Sequence, residues 1–129
     1  MKPIQTNDAP AAIGPYSQGM EIGNFVFTSG QIPVDPQTGL VPDGIEAQAH
    51  ISCKNVGAVL AAAGSHFSKV IKTTCFLADM ADFASFNSVY QTYFVSKPAR
   101  SCVAVKALPK GVLCEIEAIA EKQEIPPFW

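Results

Sequence analysis

Hydrophobic positions along this chain follow two periods in turn. Residues 18–30, QGMEIGNFVFTSG, carry the aromatic and β-branched run FVFTS after Gly23-Asn24. They predict a hairpin closed by a two-residue primed turn, whose twist matches that of its strands. Residues 31–39, QIPVDPQTG, are Pro, Gly and Asp in quick succession and predict a loop. From 44 to 63 the period changes: Ile45, Ala49, Cys53, Val56, Val59 and Leu60 recur at three- and four-residue steps, as on an amphipathic helix. Gly64 stands where such a helix is capped. Residues 69–79, KVIKTTCFLAD, are β-branched and predict a strand. Asp82 is placed to cap a second helix, FASFNSVYQTYFV, with Phe83, Phe86, Val89, Tyr90 and Tyr93 as its core stripe. Two strands, 99–107 and 112–121, follow around the turn LPKG.

Residues 1–15 hold Pro3, Pro10, Gly14 and Pro15 and are expected to be mostly irregular. In the tail EIPPFW, Pro126 and Pro127 exclude a central strand. The expected order is ββ-α-β-α-ββ, a single α+β domain over residues 1–129 with helices on one face of a mixed sheet. The uncovered face then needs a partner, and a second copy of the chain is the natural candidate.

The chemistry concentrates in PARSCVAV, residues 98–105, which holds the only arginine, Arg100. Strand alternation puts Arg100, Cys102 and Ala104 on one face, and likewise Glu115 and Glu117 on one face of the next strand. If Leu108 pairs with Gly111, Cys102 faces Glu117 and Ala104 faces Glu115, so the arginine, the thiol and both acids share one side of a hairpin. Two readings follow. One is a cross-strand Arg–Glu ion pair on an exposed face, which contributes little. The other is a site for a small organic acid: a guanidinium offers a planar fork that grips a carboxylate at two points, and a glutamate beside it handles a proton or a water.

Composition narrows the partners. Only 16% of the 129 residues are charged, which suits a chain with surface covered by another subunit. The net charge is −2 and no stretch is basic, so a nucleic acid is not the expected partner. MKPIQTNDAPAA lacks the apolar region of a signal peptide, and no run approaches the roughly 18 apolar residues of a membrane span. Cys53, Cys75, Cys102 and Cys114 form no CxxC and lie far from His50 and His66. Reduced thiols in a cytoplasmic protein, with no metal site, are therefore expected.

Four segments carry a resemblance: APAAIGPYSQG, FTSGQIPVDPQTG, KTTCFLADMADFASFN and PARSCVAVKALPKGVLCEIEAIA. Together they closely resemble the RidA group of the Rid/YjgF family, the reactive intermediate deaminases, also known as endoribonuclease L-PSP. The resemblance implies a chorismate-mutase-like α+β fold and a homotrimer with sites between subunits. It implies hydrolysis of 2-aminoacrylate and 2-iminobutyrate to 2-keto acids and ammonia, with no cofactor. Carried onto this sequence, Arg100 holds the substrate carboxylate and Glu115 positions or deprotonates the water. Strand parity alone does not separate Glu115 from Glu117. By the same resemblance Tyr16 and Ser29 would line the pocket, Gly30 and Cys102 would contribute backbone groups and close packing, and Asn87 falls in the family's helix motif. A nucleophilic Cys102 lacks a neighbouring base in sequence. Between the second helix and PARSC stands only VSK, several residues fewer than in RidA relatives, with Lys97 where an aromatic is common; this bears on substrate preference. Two alternatives remain open, a ribonuclease and a non-catalytic binding or chaperone-like module.

Overall fold

The computed structural model describes residues 1–122, and the EIPPFW tail lies outside the described residues. One six-stranded sheet, in the order β1-β2-β3-β6-β4-β5, carries two helices. Its strands are β1 (Lys2–Ile4), β2 (Gly19–Ile22), β3 (Phe25–Thr28), β4 (Val70–Leu77), β5 (Ala99–Ala104) and β6 (Cys114–Glu121), with α1 (Ile45–Ala62) between β3 and β4 and α2 (Phe83–Tyr93) between β4 and β5.

The β2–β3 hairpin forms as its sequence predicts. Ile22 pairs with Phe25, and Gly23 takes φ 54°, the positive value a primed turn needs at its first central residue. The helix α1 buries Ala49, Cys53, Val56, Val59 and Leu60 against the sheet, with Ile45 partly buried at its start. Gly64, just past its end, takes φ 75°, and its N–H donates to the Ala61 carbonyl. On α2, Phe86, Val89 and Tyr90 are buried, and Phe83 and Tyr93 pack against the same core.

Residues 1–15 are mostly irregular, as expected, but Lys2–Ile4 adds to the expected order a strand at the sheet edge beside β2, where Pro3 does no harm to a central ladder. Two further expectations need correction. Asp82 makes no side-chain cap. Asp79 does so instead, accepting from the Ala81 N–H at 2.9 Å at the head of a one-turn helix that leads into α2. Most consequentially, β5 and β6 are not a hairpin. β4 lies between them, parallel to β5 and antiparallel to β6. A parallel pair requires a crossover, and α2 supplies it. The chain then passes through a turn at Pro109–Gly111 to the far side of β4, with positive φ at both Lys110 and Gly111.

Both helices cover the face bearing Val26, Cys75, Leu77, Cys114, Ile116, Ala118 and Ala120. On the opposite face Phe25, Phe27 and Val103 stay exposed, among polar side chains such as Lys72 and Thr74. Among the described residues no helix is long and apolar enough to cross a membrane.

The contact of α1 with the Phe67 ring, which lies in the turn that leads into β4, depends on one absent methyl. A Cβ on Gly57 would stand 2.7 Å from the Phe67 ring, and that ring is held by Tyr93 and Phe94 at centroid distances of 5.5 and 5.2 Å. In a free helix Gly→Ala gains about 1 kcal/mol, whereas overpacking a filled core costs about 1–3 kcal/mol. Gly57→Ala should therefore lower the melting temperature despite its better propensity; a thermal melt showing a rise would mean that the ring yields.

Candidate active site

The side chains singled out above fall into two groups, on opposite faces of the sheet. Arg100 pairs with Thr73 across the β4–β5 ladder, and Thr73 in turn with Ala118 on β6. Thr73 and Ala118 are buried under the helices, so alternation directs the arginine to the helix-covered face. Glu115 pairs with Phe76, three residues along β4 from Thr73, and so belongs to the open face. Glu117 pairs with Thr74 and lies on that open face too. The shared hairpin side expected for arginine and acids does not exist, because the intervening β4 resets the parity. Nor is there a cross-strand ion pair: among the described residues the one salt bridge joins Lys122 to Glu21 at 3.2 Å.

The arginine group is built by α2 and β4. Phe83, Asn87 and Tyr90 follow one another at four- and three-residue steps, which places them on one side of the helix. The Arg100 Nη1 donates to the Asn87 Oδ1 at 2.7 Å. Its Cζ lies 4.8 Å from the centre of the Tyr90 ring and 5.5 Å from that of Phe83. The Tyr90 and Thr73 hydroxyls meet at 2.7 Å. Arg100 opens onto a surface groove of about 760 Å³ that Asn87, Tyr90, Lys97 and Pro98 also line. The VSK link therefore does border this group, and Lys97 takes φ 51° there. The family resemblance points to Asn87; periodicity assigns Phe83 and Tyr90 to the core, and only their helical spacing with Asn87 signals a place beside Arg100, while nothing in the sequence marks Thr73.

Cys102 sits two residues along β5, beside buried Cys75. Burial pushes its thiol up, against the pull of the Arg100 charge, so the thiolate is scarce at neutral pH. All four cysteines are free.

The acid group is built where the chain after β3 returns across β6. Gln31 and Ile116 exchange backbone hydrogen bonds of 2.8 and 3.2 Å. That bridge brings Gly30 onto Glu115 so closely that a Cβ at residue 30 would overlap the carboxylate. Only glycine permits this approach. The contact distinguishes the two acids, since Glu117 instead lines a small recess with Phe27, Lys72 and Thr74. Ser29 is pinned as its hydroxyl donates to the Ser17 carbonyl at 2.5 Å and its N–H to the Gln18 carbonyl at 2.9 Å. Neighbouring Tyr16 is half exposed, and with Gly30, Gln31, Ile32 and Lys110 it lines a cavity of about 480 Å³. The buried Asn55 of α1 steadies the outgoing loop by donating to the Ile32 and Val34 carbonyls at 3.1 and 2.9 Å.

Burial raises the Glu115 carboxyl above the usual glutamate range, and the Glu117 charge adds to the rise. A carboxylate so placed is a better proton acceptor than a free one. Among the described residues no cluster of three or more His, Cys, Asp or Glu side chains is arranged to hold a metal ion.

Residues 6–122 match the family Endoribonuclease L-PSP. A Salmonella typhimurium protein named 2-iminobutanoate/2-iminopropanoate deaminase is 52% identical over 126 residues, spanning 95% of this chain and 98% of its own length. An Escherichia coli protein of the same name is likewise 52% identical over 126 residues. The crystal structure of E. coli TdcF with bound serine superposes with a TM-score of 0.92 at 50% identity, over 95% of this chain and 100% of that one. The E. coli YjgF structure gives the same three figures for TM-score, identity and coverage of this chain. Two helices on a mixed six-stranded sheet, a matched segment that takes in every strand from β2 onward, and relatives at half identity over nearly their whole length leave one assignment: the chain belongs to the Endoribonuclease L-PSP family, the Rid/YjgF family.

Proposed function

We propose that this protein hydrolyses short 2-imino acids and their enamine tautomers to 2-keto acids and ammonia, in sites completed between copies of a homotrimer. The observation that carries this reading is the division of the site residues. A carboxylate anchor (Arg100, Asn87) and a proton acceptor (Glu115, against Gly30) belong to opposite faces of one sheet. One copy thus holds both halves without bringing them over one substrate, and the uncovered face of the sheet, with Phe25, Phe27 and Val103 exposed, offers a surface on which copies meet. The names of the relatives supply the substrate class. Closed cyclic symmetry supplies repeated identical junctions, each of which can join the arginine half of one copy to the acid half of the next.

In this reading the guanidinium binds both oxygens of the substrate carboxylate. Glu115 takes a proton from a water as that water's oxygen bonds to the imine carbon. That proton passes to the nitrogen; the carbon–nitrogen bond then breaks as the new hydroxyl gives up its own proton through Glu115 to the departing nitrogen, so ammonia leaves and the carbonyl forms. Water is the nucleophile, which suits a Cys102 thiol held in its protonated form. The deciding experiment supplies a pyridoxal-phosphate dehydratase with its amino acid and times keto-acid release. This protein should accelerate release; an unchanged rate at micromolar protein would overturn the reading.

Removing one partner of a buried charged pair costs about 2–5 kcal/mol, or roughly 30-fold to several thousand-fold in kcat/KM. Arg100→Ala should lose that much, and Arg100→Lys should remain severely impaired because it keeps the charge without the fork. Near-normal turnover in the lysine variant would show that charge suffices.

A site shared between copies also predicts rescue. Arg100→Ala and Glu115→Gln proteins, each inactive alone, should regain activity when unfolded, mixed and refolded together. In an equal mixture of trimers about a quarter of the junctions pair an intact arginine with an intact acid. No recovery in mixed trimers of the right size would place both residues in sites made by one copy.

The raised Glu115 pKa fixes two pH effects. Activity needs the ionised form, so it should fall on acidification at a pH above that of an ordinary glutamate. Glu117→Gln removes a like charge and should shift this limb to lower pH. For stability the sign is opposite: the folded state holds the proton more tightly than the unfolded chain, so stability is lost as pH rises through the folded pKa. Glu115→Gln should therefore abolish turnover while raising the melting temperature at pH 7. A lower melting temperature would show that the charged carboxylate is stabilising.

A further inference from the structure

We infer that Tyr90 is a positioning residue for the carboxylate anchor: its ring is the shelf that sets the plane of the Arg100 guanidinium, and the Thr73 hydroxyl locks the shelf. This rests on the proposed reading of Arg100, and it goes beyond it by assigning work to two buried residues that need never touch substrate.

A guanidinium grips a carboxylate at two points only when its plane is held in line with the carboxylate plane. The arginine stem has several free rotors, and restricting them beforehand lowers the entropy cost of binding. The Asn87 bond fixes one nitrogen and leaves the plane free to turn about that contact. An aromatic face removes the remaining freedom. At 4.8 Å from ring centre to Cζ, Tyr90 is within the distance of about 6 Å at which a cation is drawn to a ring face.

Phe83 also approaches, at 5.5 Å, but it is only partly buried and lies at the first turn of α2. Tyr90 is the better-anchored ring. It is 8% exposed, it stacks on Phe94 at 4.4 Å with an interplanar angle of 20°, and it stacks on Phe86 at 5.8 Å and 30°. Its hydroxyl meets that of Thr73, which is fully buried and is the ladder partner of Arg100 itself. Thr73, Tyr90 and Arg100 thus close a small ring of contacts linking β4, α2 and β5. Burial pushes the phenol up to about 12. It stays neutral at working pH and does not compete with the substrate carboxylate for the guanidinium.

Arg100 is the sole arginine, so uniform arginine labelling with nitrogen-15 gives one Nε–Hε signal in the full-length protein. In the wild type that signal should stand away from the free-arginine position because of the ring current. Tyr90→Leu should return it toward that position and raise KM roughly 5- to 30-fold with kcat within about twofold, which corresponds to about 1–2 kcal/mol. Tyr90→Met, which fills similar space without a ring, should do the same and serves if the leucine variant does not fold. The double variant Tyr90→Phe, Thr73→Val keeps the ring and removes the lock without leaving a hydroxyl unpaired. It should keep the shifted signal but broaden it and raise KM about threefold, a smaller loss than loss of the ring causes. An unchanged signal in Tyr90→Leu or Tyr90→Met would overturn the shelf, and an unchanged KM in a folded trimer would overturn its role in binding. The double variant behaving as wild type would overturn the lock. The resonance needs no turnover, so the shelf is tested even if the imine assay shows the wild type to be inactive.

Discussion

The position of β4 between β6 and β5 decides what every functional side chain can do. A strand inserted there makes β5 parallel to β4 and sends the connection through α2, which is how the helix comes to lie over Arg100. The same insertion fixes the register on both sides. Arg100 is aligned with Thr73 and turned toward the helices, while Glu115 is aligned with Phe76 and turned away. Cation and acid are thereby kept apart within a copy. Had they met on one face, they would have neutralised one another as an ion pair, leaving neither free for a ligand.

Each group is then held ready by interactions that contribute little on their own. An aromatic face, one side-chain amide and one hydroxyl pair surround the guanidinium. A glycine pressed against a carboxylate, a pinned serine and a two-way backbone bridge surround the acid. In both places a charged group is partly withdrawn from water without a countercharge. That is unfavourable for folding and useful for chemistry, because a group already stripped of solvent interacts more strongly with what arrives.

Much of this was legible in the sequence. The hairpin around Gly23-Asn24, both helices and most of their core stripes follow from periodicity, because burial of one face writes a period into the chain. Arg100 stood out as the single guanidinium among lysines. LPKG is a sound local turn signal and predicts a β5–β6 hairpin, but nothing local reports that a strand more than thirty residues upstream, β4 (Val70–Leu77), will wedge between its arms. Asp79 and Asp82, three residues apart, offer the same capping chemistry to a helix start, and only the structure shows that Asp79 makes the cap. Glu115 and Glu117 are two residues apart on one strand, and only the tertiary approach of Gly30 separates them. Tyr90 was correctly read as core, but its second role depends on which residue of another strand lies against its ring.

The outer side of β5 pairs with no strand among the described residues, and β5 is the strand that carries Arg100 and Cys102. An open edge of this kind invites stray strands and aggregation unless something closes it. On the proposed reading the next copy closes it, and in doing so brings the missing acid. Protection of the edge and completion of the site become one event. A newly made chain is then inert until it has met its partners, and dilution below the assembly range switches the protein off without unfolding it.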